Sequence, residues 1–394
     1  MTFSALWHQI RDGERPLAPV LVALALIWVA LSAATPTFWS AENLVNLTLQ
    51  SVSIGVIALG IVVVLLVGQI DLSVGSVSGL AAAAVAVGVL QWEWPLAVSV
   101  LVALFAGAAI GAIYGVLVAY VRLPGFVLTL AGLLVIAGLQ WQLLGSTGSV
   151  NLPFDSWLVR FSQTAFVPTW MVWTVVAAII GLTAAARVMT RLRRNARGLP
   201  VEPVGFAAAR IGLVAVAVIA PAFYLQQDRG VGWSVALFVG LVALVGLLLR
   251  RTRWGRSIRA VGGDARAAHL AGVPVRRVTL SAFVVCSTLA ALGGVLAAGR
   301  LAAANQSTGG GELFLIAIAA AVVGGTSLYG GRGSAWSALV GVLIIQSIAN
   351  GLTLLNMDAS TRNIVTGLVL IVAISVDTLL RRRSPRLRLR SPRR

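Results

Sequence analysis

The chain has 394 residues, 59% of them apolar and only 11% charged, with a mean hydropathy of +0.95 and a net charge of +18. So little polar side chain cannot cover a water-soluble globule, and the composition predicts an integral membrane protein. All 30 basic residues are arginine. Without lysine there is no Gly-x-x-x-x-Gly-Lys phosphate loop and no Schiff base, so ATP hydrolysis by this chain alone is excluded.

Segments of roughly 20 apolar residues are long enough to cross the hydrocarbon core of a bilayer. In chain order, twelve candidates fall near 17–35, 44–68, 73–90, 96–121, 126–144, 170–186, 205–224, 232–249, 278–299, 313–325, 334–355 and 362–379. The expected fold class is all-α, one polytopic membrane domain over residues 1–394 with about 12 transmembrane helices. Ahead of the first span, Phe3, Leu6, Trp7 and Ile10 recur at helical spacing and predict a helix lying on the membrane surface. The apolar run between Arg15 and Ser32-Ala33-Ala34 is long for a cleaved signal peptide and reads as an uncleaved first helix.

Arginine placement orients these spans, because short cytoplasmic loops keep positive charge. With both termini cytoplasmic, only Arg160, Arg229, Arg300 and Arg362 of the 30 arginines fall on the outer side. Trp39, Trp92, Trp94, Trp141, Trp157, Trp170 and Trp233 then cluster at outer ends, where an indole sits half in lipid and half in water. The basic tail, 380–394, has no aromatic interleaving and follows a span directly, which predicts attraction to anionic membrane lipid and no nucleic acid.

The inventory of reactive groups is short. Cys286 is the single cysteine and falls inside an apolar span, so it reads as a small filler. His8 and His269 lie in separate polar segments without other ligands at metal-binding spacing. No Gly-x-Ser-x-Gly elbow and no pair of intramembrane carboxylates is present, so the chain is expected to be neither an enzyme nor the holder of a metal or cofactor.

Inside the spans, the motifs concern close packing and polar interruption. Gly107, Gly111 and Gly115 strip one helix face of side chains and invite a neighbouring backbone, as do Gly75 and Gly79. The segment Gly68-Gln69-Ile70-Asp71-Leu72-Ser73-Val74-Gly75-Ser76 places a carboxylate, an amide and two hydroxyls between apolar runs, where such groups must be paired or face water. Asp71 or Ser73 either caps the following helix or helps line a solute path where glycines break it. Val67–Ser78 and Val323–Ser334 share five identities in twelve positions, as duplicated transporter halves would. The polar stretch 250–277 offers a docking surface to a soluble partner: Asp264 is an N-cap, Ala265 to Ala271 favour helix, and Gly272 with Pro274 makes a stop.

Three of these stretches together resemble the signature of monosaccharide ATP-binding-cassette importer permeases. They are Gly68 to Ser76; Trp254-Gly255-Arg256 with Gly263-Asp264-Ala265-Arg266-Ala267-Ala268-His269-Leu270-Ala271-Gly272-Val273; and Val323-Gly324-Gly325-Thr326-Ser327-Leu328-Tyr329-Gly330-Gly331-Arg332-Gly333. The chain length, and an insertion over 145–231 that carries two extra helices, are most like the xylose-type subfamily. The resemblance implies a permease homodimer in a bacterial inner membrane, an extracytoplasmic sugar-binding protein, and a separate cytoplasmic ATPase that binds the ATP and Mg. It places the coupling helix in the loop 250–277, at Gly263, Asp264, Ala267, Ala268, Leu270, Gly272 and Val273. By their polarity within or beside the apolar runs, Gln69, Asp71, Ser73, Asn305 and Asn350 are candidates for the translocation path, with Gln306 and Glu312 further polar groups near outer ends. Gln69 departs from the family, where glycine is frequent. Xylose or a similar pentose is the expected solute. The alternatives are an ion-coupled secondary transporter, whose carboxylates would be Asp71 and Asp377, and a membrane scaffold without transport; Asp377 also lies at helical pairing distance from Arg381.

Overall fold

The computed structural model of the protein describes residues 17–201, 203–368 and 371. The surface helix expected near Phe3, His8, the tail 380–394, Asp377 and most of the segment 362–379 lie outside the described residues. Among the described residues, eight helices are long and apolar enough to cross a membrane, and three shorter apolar helices accompany them. In order they are α1 (Leu17–Ala34), α2 (Ala41–Leu66), α3 (Val74–Leu90), α4 (Leu96–Val116, extended by a wider turn to Val121) and α5 (Gly125–Leu144). The insertion holds a strand β1 (Ser149–Asn151), a short helix α6 (Trp157–Gln163), α7 (Thr169–Asn195) and α8 (Val204–Leu225). Then come α9 (Trp233–Arg251), α10 (Arg253–Gly263), α11 (Ala265–Leu270), α12 (Val275–Leu301), strand β2 (Ala303–Asn305), α13 (Leu313–Val323) and α14 (Trp336–Leu354).

Helix α2 is the central post, with 89% of its apolar window buried by other helices. From Ile54 to Leu66 it has no polar side chain, and a helix that is apolar all round belongs inside a bundle. Helix α12 packs along α2, α3 and α4, and the closeness of those contacts follows from small residues. A side-chain carbon at Gly111 of α4 would come within 2.5 Å of the Phe283 carbonyl and 2.8 Å of the Val284 Cα. At Gly115 it would come within 2.7 Å of the Leu280 Cα. The glycine face read in the sequence is therefore the contact with α12. By contrast α7 and α8 pack mainly on each other, with only 11% and 6% of their windows buried, which leaves their apolar sides for lipid.

Two helices are too short to cross alone. At 1.5 Å per residue, the 17 residues of α3 reach about 25 Å and the 11 of α13 about 16 Å, against a hydrocarbon core of about 30 Å. Their N-terminal ends meet: a carbon at Gly75 would lie 3.5 Å from the Phe314 amide nitrogen, beside the Gly309 carbonyl. The missing length is supplied by non-helical chain at 67–73 and 303–312. Such backbone survives at membrane depth only where protein encloses it.

The expectation of an all-α chain is corrected at one place. Residues 149–151 pair antiparallel with 303–305, Val150 opposite Ala304, in a two-stranded ribbon. This pairing, with Gln163 Nε2 donating to the carbonyls of Gly299 (3.3 Å) and Arg300 (2.8 Å), ties the start of the insertion to the end of α12. Six residues of extended chain carry too faint a pattern to be read from sequence in so apolar a background.

Gly111→Leu should lower the melting temperature of the detergent-solubilised protein by several degrees and reduce its folded yield, since forcing bulk into a packed contact costs ~1–3 kcal/mol or more. Gly181→Leu on α7, where an added carbon meets no atom within 4 Å, should melt like the parent. Equal melting of the two variants would contradict the packing described.

Candidate functional site

At the arginine-rich end of the bundle the chain leaves α9 through two helices, where the sequence suggested one. Thr252 caps α10, its Oγ1 accepting from the Gly255 amide at 3.1 Å. Gly255, Ile258 and Val261 turn inward, while Arg253 and Arg256 stay exposed. Trp254 Nε1 donates to Ser281 Oγ at 2.8 Å and fixes α10 to α12. Asp264 then caps α11 as expected, its Oδ1 accepting from the amides of Arg266 and Ala267, both at 2.9 Å. Gly272, at φ +82°, ends it in a conformation that favours glycine, and the Val273 amide returns to the Ala268 carbonyl at 3.0 Å. Ala268 anchors the helix at 5% exposure, and Leu270 stands out at 82%. Gly263, Asp264, Ala267 and Gly272 are exposed too, and Val273 is half-buried.

The three signature stretches, far apart in sequence, converge here. The Gly331 amide donates to the Leu66 carbonyl, the last residue of α2, at 3.0 Å. A side-chain carbon at Gly330 would lie 2.6 Å from the Gly262 carbonyl and 3.0 Å from Gly68; one at Gly331 would lie 3.0 Å from the Gly263 amide nitrogen. Gly330 and Gly331 have φ of +85° and +71°. The end of α10, the end of α2 and the turn after α13 are thus in backbone contact with no side chain between them. The two stretches that echo each other in sequence, 67–78 and 323–334, are neighbours at this junction.

Directly beyond it lies the polar break. Asp71 and Ser73 are fully buried. Asp71 Oδ1 accepts from the Ser73 amide at 2.9 Å and from Ser73 Oγ at 2.7 Å, closing the turn that leads into α3. Thr129 of α5 holds the same turn, accepting from the Leu72 amide at 3.2 Å and donating to the Gly125 carbonyl at 3.0 Å. Ser287 of α12 and Tyr114 of α4 adjoin this pair. Asp71 Oδ2, Tyr114 Oη and Ser287 Oγ are all buried in this cluster. Gln69 is half-buried, its Oε1 lying against Gly125.

The remaining candidates lie elsewhere. Asn350 of α14 exchanges two hydrogen bonds with Asn43 of α2, both at 3.0 Å, and so clamps two spans together. Asn305 Oδ1 accepts from the Ser307 amide and hydroxyl and from Thr308 Oγ1, which shapes the loop after β2. Gln140 of α5 holds that loop, donating to the carbonyls of Asn305 at 3.0 Å and Thr308 at 2.8 Å. The Gln306 carbonyl accepts from Trp141, and Glu312 accepts from Asn363. Thr129, Gln140, Tyr114 and Ser287 were not singled out in the sequence. Thr129 and Tyr114 are isolated polar residues within apolar runs, while Ser287 adjoins Thr288 and Gln140 lies two residues before Gln142; a polar residue in such a run was the available signal.

A bundle of apolar helices interrupted by enclosed polar turns, carrying short exposed helices at its arginine-rich end, defines a multi-pass membrane protein of the permease class. The chain belongs to the family described as branched-chain amino acid transport system / permease component, which matches residues 43–374. It is 34% identical to the xylose transport system permease protein of Escherichia coli, over 93% of this chain and 91% of that one. It is likewise 34% identical to the xylose transport system permease protein of Haemophilus influenzae, over 91% and 95%, and 32% identical to the ribose import permease protein of Escherichia coli, over 91% and 92%. No solved structure matches.

Asp71→Asn keeps an acceptor for Ser73 and should leave the melting temperature within a degree or two of the parent. Asp71→Ala removes both bonds and should lower it by a few degrees, in line with the ~1 kcal/mol typical of a lost helix-entry cap. Thermal unfolding of the purified protein decides this, and an Asn variant as unstable as the Ala variant would show that the charge matters and the cap does not.

Proposed function

We propose that the chain is the permease subunit of an ATP-binding-cassette importer that takes up xylose or a similar pentose. The observation that carries this reading is the junction of Leu66, Gly262 and Gly331 beneath the exposed α11. A push on α11 reaches the ends of α2 and α13 through backbone alone, and the Asp71 turn begins a few residues further on. The named relatives transport xylose or ribose, both five-carbon sugars, which supports a pentose.

In this proposal two copies of the chain form the path, each with about twelve spans and both termini cytoplasmic, as the arginine distribution supports. A cytoplasmic ATPase subunit binds the ATP and Mg and grips α11 at Ala267 and Leu270; Ala268 holds the helix to the bundle. Closure of the ATPase pair moves the two copies of α11 and tips the bundle between outward- and inward-open packings. A binding protein delivers the sugar on the far side, near the loops around Asn305. Asp71 and Ser73 set the direction in which α3 leaves the break, and Gln69 narrows the approach beside Gly125. Asn350 keeps α14 and α2 moving as one body. The peripheral pair α7 and α8 faces lipid.

Ala267→Asp with Leu270→Asp should abolish ATP-dependent uptake of labelled xylose in proteoliposomes containing permease, ATPase and binding protein. Both side chains are exposed, so folded yield should be unchanged. Uptake at the parent rate would overturn the coupling role; gradient-driven uptake by the permease without ATPase would favour a secondary transporter.

A further inference from the structure

The most exposed large hydrophobic side chain at the arginine-rich end is Tyr329, at 89%. It stands at the tip of the turn after α13, and that turn is held rigidly. The Ser327 amide donates to the Arg332 carbonyl at 2.9 Å, the Gly330 amide to the Ser327 carbonyl at 3.3 Å, and the Tyr329 amide to Ser327 Oγ at 3.2 Å. The base of the turn is fastened to α2 through Leu66 and lies against Gly262 and Gly263, which immediately precede α11. An aromatic ring presented on a fixed backbone loses little conformational freedom on binding, and tyrosine is enriched among residues that dominate interface energetics.

We infer that the turn 326–333, with Tyr329 at its tip, is a second docking point for the ATPase subunit beside α11. This rests on the reading of α11 as the coupling helix and adds a contact that the reading does not include. From Asp264 to Leu270 is about 9 Å along α11, and the two residues from Gly331 to Tyr329 span at most ~7 Å. Leu270 and Tyr329 therefore fall inside one footprint of ~800 Å² per partner, roughly 30 Å across. Around them the surface is basic: Arg253, Arg256, Arg266 and Arg332 are exposed, and the single carboxylate of the stretch, Asp264, is spent on capping. The matching face is one with an apolar cleft and an acidic rim. Tyr120 offers a contrast nearby, lying 45% exposed under the guanidinium of Arg276 at 5.6 Å, a ring already covered from within its own chain.

The turn also has a different output from α11. It continues into α14 and is bonded to the end of α2, whereas α11 leads into α12. A partner that holds both would move the two halves of the bundle together.

The test uses the full importer in membrane vesicles, with Cys286→Ala as background, because Cys286 is the single cysteine and is buried. Leu270→Cys and Tyr329→Cys are each labelled with a maleimide benzophenone and irradiated, and adducts are identified by mass spectrometry through a peptide bearing a Gly-x-x-x-x-Gly-Lys loop. Both positions should capture the ATPase, and Tyr329→Ala should weaken its association with the solubilised permease about tenfold while Tyr329→Phe keeps it. Capture from Leu270→Cys alone, with Tyr329→Cys labelling lipid, would overturn this inference and leave the coupling helix standing. Capture from neither would overturn both. An unchanged affinity in Tyr329→Ala would likewise reject the turn as a docking point.

Discussion

The architecture depends on one backbone hydrogen bond and the absence of side chains around it. The Gly331 amide reaches the Leu66 carbonyl at 3.0 Å only because Gly262, Gly263, Gly330 and Gly68 place nothing between the strands of chain that meet there. A methyl group at Gly330 would meet the Gly262 carbonyl at 2.6 Å, closer than real side chains approach. Helix ends joined in this way transmit displacement without slack, because there is no rotamer to absorb it. Everything proposed about coupling follows from that stiffness.

Around the junction the bundle alternates rigid and costly elements. The post α2 and its partner α12 are locked by small-residue contacts, with Ser53 Oγ donating to the Gly293 carbonyl at 2.6 Å. The neighbouring turn at Asp71 encloses a cluster of buried polar groups, with Tyr114 and Ser287 beside it. A structure selected for stability alone would replace such groups with packed apolar ones. Asp71 and Ser73 lie between the ends of α2 and α3, next to the proposed input from α11.

Much of this was legible in the residues. The apolar runs marked the helices, eight of which among the described residues are long and apolar enough to cross a membrane, because a helix in lipid must satisfy its backbone internally and so shows itself as a continuous stretch. Asp264, Ala265 to Ala271 and Gly272 with Pro274 gave the cap, body and stop of α11 to within one residue, since these are local backbone requirements. The face formed by Gly107, Gly111 and Gly115 announced a close neighbour and left its identity open. The ribbon of β1 and β2, the second helix α10 and the exposure of Tyr329 were not legible: each depends on what lies opposite in space. Asn305 and Asn350 show the same limit from the other side, polar residues whose partners in the fold are a loop and Asn43.

Sequence by itself determined the membrane class, the arginine asymmetry and the signature stretches, because composition, charge count and local backbone preference are properties of neighbours along the chain. Tertiary structure alone decided that Gly68, Gly262 and Gly331 share one point, that Asp71 is enclosed and turns the chain into α3, and that Leu270 and Tyr329 stand clear on one basic surface. Those facts concern residues some 60 to 260 positions apart, and they follow from which helix backbones can approach in three dimensions, a distance that no linear pattern records.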